Sequence, residues 1–322
     1  VVALLLAVTG TLAQPFHSNP PPKPPATAAF TPSPALSIVA GDFPDPMVLR
    51  EGDAYYAYAT TAGWELPGHH FPILRSTDLS SWEFAGEVFA SPPAWAAGDL
   101  WAPSVIKVGR SYHLYYSALG WNGVHCLGAA ISPAPAGPYQ DQGVVACSDA
   151  GGRGYIDPAA FTWHGQTFLY FSVDTPSHSI SVLPLGPDLV HPAGPRVELF
   201  GVSQAWEVGS KFTTVEAPFV YERSGRFYLF YSGNDWRDDY AEGYAVGASP
   251  LGPFEKAAEN PILRSETGLA GPGGGSVFDD AEGKPWLVFH AWSGDGRSLH
   301  LARLSVRSGS VSVVPPVPIA PA

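Results

Sequence analysis

The chain has 322 residues, 45% of them apolar, with 29 acidic residues against 17 Lys and Arg and a formal net charge of −12. That is enough apolar material for a large core, and a length that would allow two average domains is also common for one all-β domain. The acidic balance excludes a nucleic-acid binder, whose partner needs a basic face, and is compatible with a neutral ligand such as a sugar.

Val1 to Ala13 is apolar and ends in Thr11-Leu12-Ala13. It reads as the remnant of a signal peptide cleaved near Ala13/Gln14, and it is shorter than the ~20 apolar residues a membrane span needs. A secreted, extracellular protein with no membrane anchor is therefore expected. Residues 14–38 read as an extended linker, because Pro15 to Pro34 holds eight prolines among Ala and Ser. The folded domain is expected over 39–322.

Within that domain 34 Pro and 35 Gly, counted over the whole chain, disfavour long helices. Short apolar and aromatic runs alternate with Gly, Pro, Asn and Asp, the signature of strands and turns. One pattern recurs five times. A Pro-anchored segment leads to a Gly turn and then to a Tyr/Phe-rich strand. Asp45-Pro46 leads to Gly52 and Tyr55 to Tyr58; Trp101-Ala102-Pro103 leads to Gly109 and Tyr112 to Tyr116. Asp157-Pro158 leads to Gly165 and Phe168 to Phe171; Glu216-Ala217-Pro218 leads to Gly225 and Phe227 to Tyr231. A Gly-rich version, Gly271 to Ser276, leads to Gly283 and Trp286 to His290. The turn glycines lie 57, 56, 60 and 58 residues apart (109−52, 165−109, 225−165, 283−225). A fixed period of this size marks an array of one supersecondary unit. Each unit divides into four short strands, so the expected fold is all-β, a five-bladed β-propeller with four antiparallel strands per blade.

In a propeller the first strand of each blade lines the central channel. Residues more than 50 positions apart in sequence then meet at one end of that channel. Asp45, Asp157 and Glu216 are expected at equivalent places there. Each alone would pass for an ordinary turn acid, but three together form a shared site. Mutual repulsion raises the pKa of at least one, so that one acid can protonate a leaving oxygen while an ionised one activates water, the pair that glycosidic hydrolysis requires. A hard metal cation is the rival use of three acids.

Aromatic residues near these segments, Phe43, Trp64, Trp101, Trp121 and Trp236, are candidates for stacking on sugar or for core packing. His69, His70 and His290 are candidate pocket residues or structural hydrogen bonders. Cys126 and Cys147 either form one disulfide, as a secreted chain allows, or remain buried thiols; neither stands in a Cys-x-x-Cys metal spacing. There is no Asn-x-Ser/Thr sequon.

Phe43-Pro44-Asp45-Pro46, Leu100-Trp101-Ala102-Pro103, Tyr155-Ile156-Asp157-Pro158 and Val215-Glu216-Ala217-Pro218 resemble the hallmark motifs of glycoside hydrolase family 43. Arg75-Ser76-Thr77-Asp78-Leu79 with Trp82 resembles that family's first-blade signature, and His290-Ala291-Trp292 with Gly296-Arg297 its last blade. The resemblance spans about residues 39–315. It implies an inverting hydrolase of arabinose- or xylose-containing polymers, with Asp45 as general base, Glu216 as general acid and Asp157 as the residue that tunes and orients the acid. Arg297 matches an arginine that contacts the sugar or the base. Many relatives carry His in a Gly-Pro-Gly-His-Gly motif that helps order a channel calcium or water. Here the matching residue is Gly274, so no metal or other cofactor is expected.

The expected function is removal of pentose units, foremost α-L-arabinofuranose, from plant cell-wall polysaccharide by a monomeric enzyme. Removal of β-xylose and cleavage within arabinan chains are the alternatives. A sugar-binding propeller without catalysis is disfavoured by the intact acid trio. A retaining fructan hydrolase is disfavoured by the absence of its Asn-Asp-Pro-Asn opening.

Overall fold

The structure is a computed structural model that describes residues 36–39, 41–61, 70–148, 152–175, 178–294 and 296–314. The expected signal remnant, most of the expected linker, Trp64 and His69 lie outside the described residues. The description opens with strand β1 (Leu36–Val39). This corrects the expected linker boundary: Leu36 and Ser37, assigned to the linker, pair with the strand Gly296–Arg307.

Five four-stranded antiparallel units follow. The first is β2 (Met47–Glu51), β3 (Ala54–Tyr58), β4 (Pro72–Ser76) and β5 (Glu83–Glu87). The second is β6 (Ala96–Val108), β7 (Ser111–Gly120), β8 (His125–Ser132) and β9 (Gln140–Cys147). The third is β10 (Gly154–Trp163), β11 (Gln166–Asp174), β12 (Ser179–Pro184) and β13 (Val197–Gly201). The fourth is β14 (Val215–Arg223), β15 (Arg226–Gly233), β16 (Ala241–Gly247) and β17 (Phe254–Lys256). The fifth is β18 (Ala270–Asp279), β19 (Pro285–Ser293), β20 (Gly296–Arg307) and β21 (Ser310–Val314). A 3-10 turn, Ala205–Glu207, is the one helical piece among the described residues.

The units close into a ring. First strands neighbour one another in the order β2, β6, β10, β14, β18 and back to β2. The chain also closes on itself, because β1 pairs with β20 of the last blade. Each junction between blades holds its own apolar core. Tyr58 and Ile73 meet Leu114 and Tyr116 between blades one and two. Tyr115 and Leu127 meet Leu169 and Phe171 between two and three. Tyr170 and Val182 meet Leu229 and Tyr231 between three and four. Tyr228 and Phe230 meet Leu287 and Phe289 between four and five. Phe278 and Val288 meet Val48 and Ala57 at the closure.

These cores explain the continuous Tyr/Phe runs. A blade is covered on both faces, so the second strand buries odd and even side chains alike. Tyr116 faces blade one while Tyr115 faces blade three. A sheet buried on both faces carries apolar runs rather than apolar-polar alternation. The repeating glycines sit where expected. Gly52, Gly109, Gly165, Gly225 and Gly283 all have positive φ in the turn between the first and second strands of their blades.

Blades two and three are joined by one parallel backbone bridge, Gly154 to His125. Gly154 has φ +119°, and a Cβ there would lie 2.4 Å from the His125 carbonyl oxygen and 2.8 Å from Val124 Cγ1. Backbone strain and backbone clash thus coincide. Gly154→Ala is expected to destabilise the fold by about 1–3 kcal/mol, checked by denaturant melting. An unchanged midpoint would show that this junction tolerates separation.

Candidate active site

Each first strand breaks its ladder at the same level of the ring. Asp45, Ala102, Asp157, Ala217 and Gly274 have φ of 51°, 48°, 54°, 53° and 62°. In the four longer first strands the pairing register slips at this point, between Trp101 and Ser104, Ile156 and Ala159, Glu216 and Phe219, and Gly273 and Ser276. A proline follows in four blades, Pro46, Pro103, Pro158 and Pro218, and having no N–H it suits a place where the ladder is interrupted. The five kinks with the residues after them line a single central cavity, from Asp45 round to Gly274 and Ser276.

The three acids are therefore not all equivalent, contrary to expectation. Asp45 and Asp157 stand at the kink itself. Glu216 stands one residue earlier, paired across to Ser232 as Trp101 is to Ser117, Ile156 to Ser172 and Gly273 to His290. Trp101 and Glu216 thus hold the same place in blades two and four, and both are partly exposed.

A circuit of hydrogen bonds connects the kinks. The kink amide of one blade donates to a side chain at the end of the preceding blade's second strand: Ala102 N to Thr60 Oγ1 at 2.8 Å, Ala217 N to Ser172 Oγ at 3.0 Å, Gly274 N to Ser232 Oγ at 2.8 Å, and Asp45 N to His290 Nδ1 at 3.0 Å. The hydroxyls then donate to carboxylates of their own blades: Thr60 to Asp45 Oδ2 at 2.5 Å, Ser172 to Asp157 Oδ2 at 2.9 Å, and Ser232 to Glu242 Oε2 at 2.7 Å. Asp157 Oδ2 also accepts Ala217 N at 3.0 Å, which ties the peptide after Glu216 to the neighbouring acid.

Asp45 keeps 23% of its side chain exposed and has Arg297 Nη1 3.8 Å from Oδ1. Arg297, also near Asp42 at 3.9 Å, lies over the faces of Trp236 and Trp292 at 5.3 and 5.8 Å. His290 is 1% exposed, and burial first, then Arg297 and His300, lowers its pKa well below the ordinary value. The ring is neutral, and since Nδ1 accepts the Asp45 amide, its proton sits on Nε2. The 3.4 Å approach of Nδ1 to Asp45 Oδ1 is therefore not an ion pair.

Burial raises the pKa of both Glu216 and Asp157, with the neighbouring carboxylates adding to it. Asp157 accepts the Ala217 amide and the Ser172 hydroxyl, which favour its ionised form. Glu216 is raised by burial and then by Asp157, and fewer donors oppose this: Tyr240 by a hydrogen bond and the Thr214 hydroxyl at 3.4 Å. The proton of the pair belongs to Glu216. Tyr240 is buried, and its phenol is held neutral by that burial and by all three acids.

Trp101 stacks on His125 at 4.5 Å and 23°, forming a flat aromatic wall. Cys126, next in the chain, is bridged to Cys147. Phe43 is a correction: it is 0% exposed within the core between blades five and one and cannot stack on a ligand. His290 is likewise withdrawn from the pocket surface and acts on it only through Asp45. His70 lies on the first-blade loop, its amide bonded to Glu87. Trp121 is 75% exposed and is held by its indole N–H on the Ala94 carbonyl. Trp236 stacks on Trp292 at 5.8 Å.

Thr60, Ser172, Ser232, Tyr240 and Glu242 escape the sequence reading. The hydroxyls did leave a signal: Thr60, Ser117, Ser172, Ser232 and His290 follow their turn glycines by 8, 8, 7, 7 and 7 residues (60−52, 117−109, 172−165, 232−225, 290−283).

The chain was compared with known proteins. The family model "Glycosyl hydrolases family 43" matches residues 35–310. This chain belongs to glycosyl hydrolase family 43. It is a glycoside hydrolase, of the inverting class. It is 27% identical over 78% of its length to an extracellular exo-α-(1→5)-L-arabinofuranosidase of Cellvibrio japonicus, 79% of which is covered. A thermostable family-43 glycoside hydrolase superposes with a TM-score of 0.78 at 30% identity, covering 86% of this chain and 94% of the other. An endo-1,4-β-xylanase of Bacteroides thetaiotaomicron gives 0.74 at 28% identity, covering 85% and 94%.

The channel metal known in this family does not fit the residues present. Gly274 supplies no ligand, and a Cβ there would lie 2.6 Å from His290 Cε1 and 2.9 Å from Asp45 Oδ1. His290 fills that space, with Nδ1 already engaged by Asp45 N. Among the described residues no group of three His, Cys, Asp or Glu could hold a metal. Incubation with a chelator is expected to leave activity unchanged; loss restored by calcium would overturn this. Gly274→Ala should displace both His290 and Asp45. Gly274 has φ +62°, so the substitution is also strained, and Gly274→Ala is expected to destabilise the fold by about 1–3 kcal/mol and, if Asp45 shifts by about 1 Å, to lower kcat on the order of 100-fold, checked by melting and by rates measured well below the melting midpoint.

Proposed function

We propose that the chain is a secreted hydrolase that removes α-L-arabinofuranosyl units from plant cell-wall polysaccharides, with Asp45 as general base, Glu216 as general acid and Asp157 as the residue that orients and tunes the acid. The observation that carries this reading is the division of environments among the acids. Glu216 lies beside Asp157, and the partial burial of its carboxyl together with that neighbouring carboxyl raises its pKa, so that it retains a proton. Asp45 lies beside the Arg297 guanidinium and accepts the Thr60 hydroxyl, partners of a carboxylate. Carboxyl groups whose surroundings push them apart divide into acid and base.

In the reaction, Asp45 takes a proton from a water whose oxygen attacks the anomeric carbon. Glu216 gives its proton to the glycosidic oxygen as the carbon–oxygen bond breaks. The sugar leaves with inverted configuration, Asp45 ends protonated and Glu216 ionised, and exchange of one proton through solvent resets both. Asp157 holds the Ala217 amide, so that the Glu216 backbone cannot drift, and its charge keeps Glu216 protonated. Asp45 and Glu216 come from non-adjacent blades, which leaves room between them for the water. Inverting pairs stand ~6.5–9.5 Å apart for that purpose. Trp101 on its His125 backing and the Trp236–Trp292–Arg297 stack offer the aromatic and cationic surfaces that a sugar ring uses.

The arabinofuranosyl preference is supported by likeness to the Cellvibrio enzyme, and xylose is the second reading because of the xylanase likeness. Secretion is supported by the disulfide, which belongs to oxidising compartments. A panel of nitrophenyl arabinofuranoside, nitrophenyl xyloside, linear arabinan and arabinoxylan tests the substrate, with arabinose release expected; xylose release alone would favour the second reading. Glu216→Ala should slow unactivated glycosides by about 10²–10⁴-fold while sparing those with good leaving groups, and Asp45→Ala should slow both. Near-normal rates in Asp45→Ala would reject the base.

A further inference from the structure

A second line of contacts reaches Glu216 that the reaction as described does not use. Thr214, buried and two residues before Glu216, donates its hydroxyl to Glu216 Oε2 at 3.4 Å. Thr214 Oγ1 also lies 3.2 Å from His178 Nδ1, and His178 Nδ1 lies 3.6 Å from Asp174 Oδ1. The other oxygen of Asp174 is 3.1 Å from Arg153 Nε. Asp174 ends β11, His178 lies in the loop after it, and Thr214 immediately precedes β14. The line therefore crosses from blade three to the strand that carries Glu216.

The donors and acceptors settle its polarity. Because the Thr214 hydroxyl donates to Glu216, its oxygen accepts from an N–H, which places the His178 proton on Nδ1. That N–H is given to Thr214 Oγ1, and the Asp174 carboxylate, 3.6 Å away, attracts it by charge without a hydrogen bond. Asp174 is thus the anionic end of the line, and the Glu216 carboxyl is the other.

We propose that Thr214, His178 and Asp174 are positioning residues for the general acid. They hold the Glu216 carboxyl toward the leaving-group oxygen and steady the carboxylate that remains after proton transfer. The proposal rests on Glu216 being the general acid. Its physical basis is that Glu216 otherwise has Tyr240 as its side-chain partner, and a flexible carboxyl with one partner samples many orientations. The charged and titratable groups facing Glu216 are Asp157 from β10, Asp174 from β11, Tyr240 before β16 and Asp45 before β2. Those facing His178 are Asp174 and Arg153, with the Phe212 ring 6.1 Å away. Asp174 therefore serves twice: it anchors His178, and its charge favours the protonated acid.

The experiment uses aryl glycosides of the sugar that the wild-type enzyme cleaves, with phenol and dinitrophenol as poor and good leaving groups. Thr214→Val keeps the shape and removes the hydroxyl. It is expected to lower kcat on the phenyl glycoside about 10-fold, with KM and the dinitrophenyl rate nearly unchanged, and Thr214→Ser should restore the rate. Asp174→Asn should move the alkaline limb of kcat to lower pH by about half a unit to one unit, since removing a nearby negative charge makes Glu216 lose its proton sooner. Equal slowing of both substrates by Thr214→Val, or an alkaline limb that stays in place in Asp174→Asn, would overturn the proposal and leave these residues a packing role. Glu216→Ala, measured alongside, separates the two readings. If it fails to discriminate between the leaving groups, the general-acid assignment itself falls; if it discriminates and Thr214→Val does not, only the positioning line falls. Should Thr214→Val melt early, Asp174→Asn carries the decision.

Discussion

The arrangement of this molecule depends on how the inner end of each blade is fastened to the next. At one level of the ring the chain turns left-handed, exposing an amide that has left its own ladder, and at four of the five junctions a hydroxyl or imidazole of the preceding blade receives it. Ala102 on Thr60, Ala217 on Ser172, Gly274 on Ser232 and Asp45 on His290 repeat one device with different side chains. A buried amide left without a partner would cost about 1–3 kcal/mol, so each clasp both satisfies a strained backbone and sets the spacing between blades. The acids are built into this circuit. Asp45 and Asp157 are kink residues themselves, and each accepts the hydroxyl that receives the next blade's amide.

Electrostatics then divides the labour. Carboxyls crowded around one axis cannot all ionise, and the hydrogen bonds decide which does. Asp157 has an amide and a hydroxyl pointed at it, Asp45 has a hydroxyl and a guanidinium, and Glu216 has a single phenol and the weak approach of Thr214. Position in the kink thus becomes protonation state. Glu242 is a fourth carboxyl on the same circuit, itself fully buried, and burial raises its pKa to about 8. Together with neutral His290, it limits the free charge at the inner ring to the groups that face the substrate.

How far the sequence could be read follows from what repeats. The blade period was legible because every blade solves the same two problems, a tight hairpin turn and a second strand buried on both faces. Each solution has a narrow residue choice: glycine at positive φ, and unbroken Tyr, Phe and Leu. The acids were legible as acids because they stand beside prolines at that period. Their offset was harder to see. Glu216 precedes its proline by two and Asp45 by one, and only the register slip shows that these are different ring positions. Phe43 was misjudged for a related reason: nearness in sequence to Asp45 says nothing about which side of the kink a neighbour faces, and Phe43 faces the core that closes the ring.

By itself, the sequence determined the architecture and the recurrence of Asp45, Asp157 and Glu216 beside the prolines that open their blades, because each is written in local residue choice repeated at a fixed spacing. Only the tertiary structure decided that Leu36–Val39 closes the last blade, that His290 fills the space beside Gly274, and that Asp174 and His178 of blade three reach the acid of blade four through Thr214. These are contacts between segments whose composition carries no mark of a partner. They arise because closing a ring brings the end of one strand against the start of a strand from the next blade, at distances that no local pattern encodes.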